Sequence, residues 1–358
     1  MTRPDRARVA DMLWGFFPAQ VLRTLAGLGV PDLLDDGRRD LTELAAATGC
    51  DRDALGRLLR AARGLELVDV DGDGRWSLTA DGQLLRTGTP GSLGSLAQLF
   101  CGDAPWRSWG ELEWSVRTGE VAFEKVTGRS AFAHMADDPR MLAVFTEAMA
   151  EGTRMAASGI VETCDVDGVE VLVDVGGGNG TLLAAFLAAH PHLRGVLFDT
   201  AHGVGDAQDV LGPLQESHRH ATRLREGGFP ATRGFGERIE IVTGDFFAAV
   251  PPADAYVVKS VVHDWDDERS VAILRRIREA MHGDARLFLV EPVLAEDTAD
   301  LVAQRVMLMS DLNMLVCTGG RERTLTEFGR LLDAAGLRLV DVRRVPPPTG
   351  FSVLRAQR

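Results

Sequence analysis

The pattern of apolar and polar positions divides the chain into a helical first part and a later part where short apolar runs alternate with helical stretches. Met12 to Leu28 is apolar at helical spacing and carries Trp14, Phe16 and Phe17. Pro31 restarts a short helix. Asp40 can cap the next helix, with Glu43 three residues on closing a capping box; Leu44, Ala45 and Ala47 line it and Gly49 ends it. Asp51 opens a helix over Arg52 to Arg63. Strand-like runs, Glu66 to Val70 and Arg75 to Leu78, flank Asp71-Gly72-Asp73-Gly74, which is a hairpin signal. Helix, turn, helix and hairpin in that order predict a winged-helix arrangement. Pro90 and Gly91 mark a boundary. Beyond them Ser92 to Gly119 reads as helical, with Trp106, Trp109 and Trp114. Ala131 to Ile160 follows, with Phe132, Met135, Met141, Phe145, Met149 and Met155. Met and aromatic residues at this spacing are usually core, though a fraction could line an aromatic pocket.

From Glu170 the pattern changes. Val171 to Val175 is a continuous apolar run, as expected of a parallel strand buried on both faces. It ends in Gly176-Gly177-Gly178-Asn179-Gly180-Thr181, and Leu182 to Ala189 reads as a helix. Further strands are expected at Gly195 to Phe198, ending in Asp199, and at Arg238 to Val242, followed by Gly244-Asp245-Phe246-Phe247. Two more are expected at Ala255 to Val258, ending in Lys259, and at Arg286 to Val290, ending in Glu291. Helices are expected from Val262–Glu268 to Met281 and over Leu301 to Leu315. After the loop Gly319 to Arg323, Thr324 and Glu327 form a capping box for a last helix. Leu337 to Val345 and Phe351 to Arg355, joined through Pro346–Gly350, predict a closing antiparallel hairpin. Ala207 to Glu237 reads as a helix running into a mobile loop, with His218 and His220 solvated. The fold class is therefore α/β: a Rossmann-like sheet with a C-terminal antiparallel hairpin, preceded by a mainly helical winged-helix domain. The expected boundaries are 1–90, 91–160 and 161–358.

Composition narrows the partners. The chain has 358 residues and a formal charge of -13, which argues against nucleic acid as the main partner. The second winged-helix helix does offer Arg52, Arg57, Arg60 and Arg63, so a DNA-binding, ligand-sensing regulator stays open. No run reaches the length of a membrane span. Arg3, Arg6 and Arg8 are not followed by an apolar core before Asp11, so no signal peptide is expected. Cys50, Cys101, Cys164 and Cys317 match no zinc or redox spacing and read as reduced thiols of a cytoplasmic protein. No Asp/His cluster has metal-ligand spacing.

In open α/β sheets ligands sit at the carboxyl ends of strands, where the polar residues of this chain fall. Asp199 suits the two hydroxyls of a ribose, Asp245 and Phe246 a base, and Lys259 a carboxylate. Together they fit a nucleoside carrying an amino acid, which is S-adenosylmethionine. A nicotinamide dehydrogenase would also show glycines and then an acid, but here Thr181 stands where that pattern wants a third Gly or Ala.

The chain resembles the plant-type small-molecule O-methyltransferases (caffeate O-methyltransferase-like) and their bacterial natural-product relatives over nearly its whole length. The motifs that carry this are Leu172-Val173-Asp174-Val175-Gly176-Gly177-Gly178, Gly244-Asp245-Phe246-Phe247, His263-Asp264-Trp265 and Gly319-Gly320-Arg321-Glu322-Arg323-Thr324. The resemblance implies a homodimer through the winged-helix domain, a helical linker that contributes to the substrate pocket, and a Rossmann-like methyltransferase sheet. It implies S-adenosylmethionine as donor, S-adenosylhomocysteine as product, and an aromatic acceptor from secondary metabolism such as antibiotic biosynthesis. The cofactor would be held by Asp174, Gly176, Gly178, Asp199, Asp245, Phe246 and Lys259. His263 would be the general base, flanked by Glu291 and Glu322, and Phe145, Met149, Trp265, Met309 and Asn313 would line the substrate pocket. The chemistry agrees: a phenol near pKa 10 is a poor nucleophile at neutral pH, and a positioned His can take its proton. Some bacterial members bind the cofactor yet hydroxylate or decarboxylate a polyketide, so that activity is the alternative within the family. The stretch Gly212 to Gly236 is longer than the usual family connection.

Overall fold

A computed structural model describes residues 5–35, 37–211, 238–297, 300, 302–347 and 349–358. The chain forms two units, Met1–Arg107 with Asp138–Glu151, and Ser108–Asp137 with Gly152–Arg358. The stretch 91–160 is divided between them.

In the first unit, the run expected as one helix from Met12 is two helices, Arg6–Trp14 and Phe16–Gly27. Asp5 caps the first through Arg8 N–H at 3.0 Å, which starts it earlier than the apolar pattern indicates. Gly15 separates them, its N–H turning back to Met12 O at 3.2 Å. The second helix buries Leu25 and Ala26, Leu25 in a cluster with Val30, Leu44, Leu55, Leu59 and Trp76. Val9, Met12, Leu13, Trp14, Phe16 and Phe17 remain between 46% and 68% exposed. The expected capping box opens helix Leu41–Thr48: Asp40 accepts from Thr42 and Glu43 N–H at 2.7 and 2.9 Å, and Asp40 N–H donates to Glu43 at 2.8 Å. Helix Arg52–Gly64 follows. The hairpin pairs β1 (Val68–Val70) with β2 (Trp76–Leu78) around a turn closed by Asp71, which accepts from Asp73 and Arg75 N–H.

The region expected as one helical stretch from Ser92 is three short helices, Gly94–Phe100, Asp103–Trp109 and Leu112–Thr118. Ala122–Thr127 is a helix that the pattern did not indicate. Asp138 and Pro139 split the next stretch into Ala131–Ala136 and Pro139–Thr163. Asp138 accepts from Arg140 and Met141 N–H at 3.0 and 3.1 Å, and proline suits a first helical position.

The second unit is built on β3 (Val171–Val175), β4 (Arg194–Asp199), β5 (Ile239–Thr243), β6 (Ala253–Lys259), β7 (Met281–Leu294), β8 (Arg323–Thr324), β9 (Arg338–Arg344) and β10 (Phe351–Gln357). The sheet order is β5-β4-β3-β6-β7-β10-β9, with β8 pairing with β7. Strands β3 to β7 are parallel; β10 enters antiparallel between β7 and β9. The closing hairpin and the last helix, Leu325–Ala335 with its Thr324–Glu327 capping box, lie where the pattern put them.

Every residue of β3 is buried, because helices cover both faces. Val171, Val173 and Val175 face Ile273, Leu274 and Phe328 on one side; Leu172 faces Ile160, Leu182 and Phe186 on the other. The helix expected over Leu301 to Leu315 is described as a short turn, Val302–Gln304, and a helix, Arg305–Cys317. Leu301, the Gly212 to Gly236 stretch and His218 and His220 lie outside the described residues. Among the described residues no helix is long and apolar enough to cross a membrane. The strands run outward from β3 through β4 to β5 and then return beside β3 as β6. This reversal is where such sheets open a cleft.

Candidate active site

The parallel register sets the strand ends along one edge. Val175 pairs with Phe198, Asp199 with Thr243 and Lys259 with Val290, so Gly176, Asp199, Gly244, Lys259 and Glu291 lie side by side there. The glycines are required by close approach. Gly176 has φ +70°, and a Cβ on it would stand 2.7 Å from Val261 Cγ2. A Cβ on Gly177 would meet Leu197 at 2.5 Å and the Asp174 carboxyl at 2.6 Å. Gly178, at φ +56°, faces open space. Its N–H donates to Asp199 Oδ2 at 2.9 Å, and Thr200 N–H donates to Oδ1 at 2.6 Å. Burial raises the Asp199 carboxyl above its ordinary range, against the pull of these backbone bonds.

Asp174 is 2% exposed, and its Oδ2 has no hydrogen-bond partner among the described residues. Burial pushes its carboxyl up to about 7, with Lys259 opposing. Lys259 is half-buried, 3.4 Å from Ser260 Oγ and 5.2 Å over the Phe351 ring. Burial lowers its ammonium pKa against Glu291 and Asp174. Ser260 takes a left-handed φ of +52°, uncommon without glycine, and swings the chain out of the sheet directly into the turn Val262–Asp264.

His263 occupies that turn. Its Nδ1 is 3.1 Å from Glu322 Oε1 and 3.7 Å from Glu291 Oε2. Its Nε2 is 3.9 Å from Asp264 Oδ1. Glu291 is fully buried; its Oε1 accepts from Val261 and Val262 N–H at 3.1 and 2.9 Å. Glu322 Oε1 also accepts from Ser310 Oγ at 2.7 Å, and Glu322 N–H donates to Asp311 at 2.9 Å. Burial alone would press the imidazolium down, but Glu291, the hydrogen bond to Glu322 and Asp264 together raise His263 to about 10. Burial raises Glu291 to about 7. In the free site these neighbours favour the protonated imidazole.

The remaining expected residues fall in two places. Asp245 is exposed and accepts from Phe247 N–H at 2.8 Å. Phe246 packs edge-on to Phe247, with ring centroids 5.0 Å apart. Trp265, expected in the substrate pocket, lies 4.9 Å from Phe247, 6.2 Å from Phe246 and stacks on Phe132 at 5.5 Å. Met309 and Asn313 lie one turn apart on helix Arg305–Cys317, Met309 47% exposed and Asn313 accepting from Trp109 Nε1 at 3.0 Å. Phe145 and Met149 belong to the first unit, one turn apart on helix Pro139–Thr163.

Two contributors were not singled out from the sequence. Ser310 sits in no motif, so nothing in the pattern could find it. Arg323 stood inside a quoted motif, but its partners are mostly backbone carbonyls, which side-chain identity does not reveal.

Comparison with known proteins accords with this geometry. Residues 109–338 match the O-methyltransferase domain, and residues 10–88 match the O-methyltransferase dimerisation domain. The chain is 39% identical over 352 residues to the O-demethylpuromycin-O-methyltransferase of Streptomyces alboniger, covering 98% of this chain and 88% of that protein. It superposes on the crystal structure of LaPhzM with a TM-score of 0.87 at 35% identity, covering 99% of both chains. It superposes on NcsB1 from neocarzinostatin biosynthesis, solved with S-adenosylmethionine and 2-hydroxy-5-methyl naphthoic acid, with a TM-score of 0.76 at 31% identity, covering 95% of both chains.

Proposed function

As a member of the O-methyltransferase family, the chain is an S-adenosylmethionine-dependent O-methyltransferase for aromatic natural products, and we propose that it methylates a phenolic hydroxyl with His263 as general base. The observation that carries this reading is the pairing of His263 Nδ1 with Glu322 at 3.1 Å and Glu291 at 3.7 Å. These contacts assign the proton of the neutral ring to Nδ1 and leave Nε2 to accept one from a hydroxyl.

S-adenosylmethionine supplies the methyl group as a sulfonium. The residues present fit it: Asp174 has a buried acceptor without a partner, suited to an ammonium, and Gly178 leaves open space where a side chain would stand. Asp199 would take the ribose hydroxyls. Phe246 and Asp245 would hold the base, with Trp265, against Phe246, on the acceptor side. Lys259 would lie against the amino-acid end. Nε2 of His263 accepts the hydroxyl proton as the oxygen becomes nucleophilic, and the Glu322 and Glu291 carboxylates stabilise the imidazolium that results. Met309 and Asn313 are the acceptor contacts we propose in this unit. Residues 161–358 form the catalytic domain in this reading, and a cytoplasmic location goes with it. Incubation with methyl-labelled S-adenosylmethionine and a panel of phenols is expected to label the phenol oxygen. An unlabelled product that has gained oxygen or lost carbon dioxide would replace this reading by the hydroxylase or decarboxylase one.

The same reading assigns the winged-helix domain, residues 1–90, to homodimerisation. Leu13, Trp14 and Phe17 are more exposed than apolar side chains of this size remain without a partner. Changing Leu13→Asp together with Phe17→Asp is expected to convert a dimer to monomer in light scattering. An unchanged mass in a folded double variant would remove this face from the interface.

A further inference from the structure

Arg323 is wholly buried, and its guanidinium nitrogens all point at the segment that carries His263. Nη1 donates to Val262 O at 3.1 Å and to Arg321 O at 3.4 Å. Nη2 donates to Trp265 O at 2.8 Å and to Ser270 Oγ at 3.3 Å, while Nε and Nη2 reach Asp267 Oδ1 at 3.1 and 2.8 Å. The two carbonyls bracket His263 on either side. From the other direction Glu291 holds the N–H groups of Val261 and Val262, and Arg321 N–H holds His263 O at 2.9 Å.

The frame behind the guanidinium is equally tied. Strand β8 pairs in parallel with the end of β7, Val293 with Arg323, and β7 also carries Glu291. Glu322 immediately precedes Arg323. One short segment thus bears both the carboxylate that pairs with the imidazole and the cation that holds the imidazole's backbone. A Cβ on Gly320 would fall 1.9 Å from His263 O, so the two segments lie in backbone contact.

We propose that Arg323 is a positioning residue for the reaction: by clamping the carbonyls of Val262 and Trp265 it sets His263 at hydrogen-bond distance from Glu322. Wholly buried, it acts through His263, so the proposal rests on His263 being the base. Its planar fork of five N–H donors serves several separated acceptors at once, which the point-like ammonium of lysine cannot reproduce. In a buried turn a displacement of about 1 Å between base and carboxylate is enough to cost on the order of a hundredfold in rate.

The test uses full-length Arg323→Lys beside His263→Ala, with labelled histidine so that the His263 ring is followed by NMR. Arg323→Lys is expected to lower kcat roughly 10–100-fold and leave KM and cofactor affinity within about threefold. It is also expected to shift the His263 titration downward, because the carboxylate contact is loosened. A variant that melts lower but keeps kcat per folded molecule and the His263 titration overturns the proposal and leaves Arg323 a plain stability residue. If Arg323→Lys does not fold, Asp267→Asn with Ser270→Ala releases the two side-chain partners of the fork. The same shifts are expected there at smaller size, and their absence overturns the proposal equally. If His263→Ala itself keeps full turnover, the base assignment fails; the His263 titration in the Arg323 variant then still reports on the clamp.

Discussion

Replacing His263 by alanine is expected to lower turnover about 10²–10⁴-fold while the cofactor still binds near its normal affinity. The geometry behind this is local: Nδ1 is engaged by Glu322 and Glu291, and Nε2 is the ring position left to meet a hydroxyl. In the variant the rate should recover partly as pH rises, because free phenolate then needs no base, and an acceptor with a more acidic phenol should lose less. A variant with wild-type turnover, or a deficit indifferent to both pH and phenol acidity, would leave proximity as the main source of catalysis.

The charge state sharpens this prediction. His263 is raised from 6.5 to about 10 in the free site. A group whose folded pKa is raised contributes stability that is fully present below its unfolded value and lost as pH rises through the folded one. The stability difference between wild type and His263→Ala should therefore shrink as pH rises from about 6.5 to about 10 and level off above that, read as melting temperature against pH. The kinetic consequence has the opposite direction, since only the neutral ring accepts a proton. A sulfonium bound at the strand-end site would set a positive charge near His263, which would favour the neutral ring. The ascending limb of kcat against pH should accordingly lie below that of kcat/KM, which reports the free enzyme. Coincident limbs would show that the cofactor's charge does not reach the imidazole.

Asp199→Ala is expected to weaken cofactor binding by about 1–3 kcal/mol, roughly 5–150-fold in Kd. Asp199 does two things at once. It presents a carboxylate at the end of β4 and holds the Gly178 N–H at 2.9 Å, so its loss also frees the turn that approaches the ligand. Asp199→Asn separates them in part: the amide oxygen can keep the Gly178 bond, while the amide nitrogen loses the Thr200 N–H bond along with the charge. Burial raises the Asp199 carboxyl, so its charge is lost at a higher pH than for an exposed aspartate, and affinity should fall as pH drops. Calorimetry finding wild-type affinity in a folded alanine variant would take Asp199 out of the site.

The strand-end residues were legible because a parallel strand buried on both faces is uniformly apolar, so its first polar residue announces the edge of the sheet. Asp199, Lys259 and Glu291 were read in that way. The capping boxes at Asp40 and Thr324 were legible because each is written in side chains alone. The helix break at Gly15 was not, since a glycine within an apolar run can be accommodated without a turn. The packing of Trp265 against Phe246, Phe247 and Phe132 comes from tertiary structure, which the His263-Asp264-Trp265 motif does not encode. The left-handed Ser260 and the clamp at Arg323 depend on backbone geometry and backbone acceptors, which residue identity alone does not encode.

The placement of β10 has a consequence for synthesis. Ser352 pairs with Glu291, and Phe351–Gln357 fills the slot between β7 and β9. A nascent chain that has emerged only as far as β9 has two open strand edges where the finished sheet has none, and the strand bearing Glu291 is one of them. Completion of the catalytic sheet waits on pairing partners about 60 positions downstream, a separation that slows folding. A message broken before codon 351 would leave the ribosome-released product with unpaired edges, the usual route to self-association rather than to a weakly active enzyme.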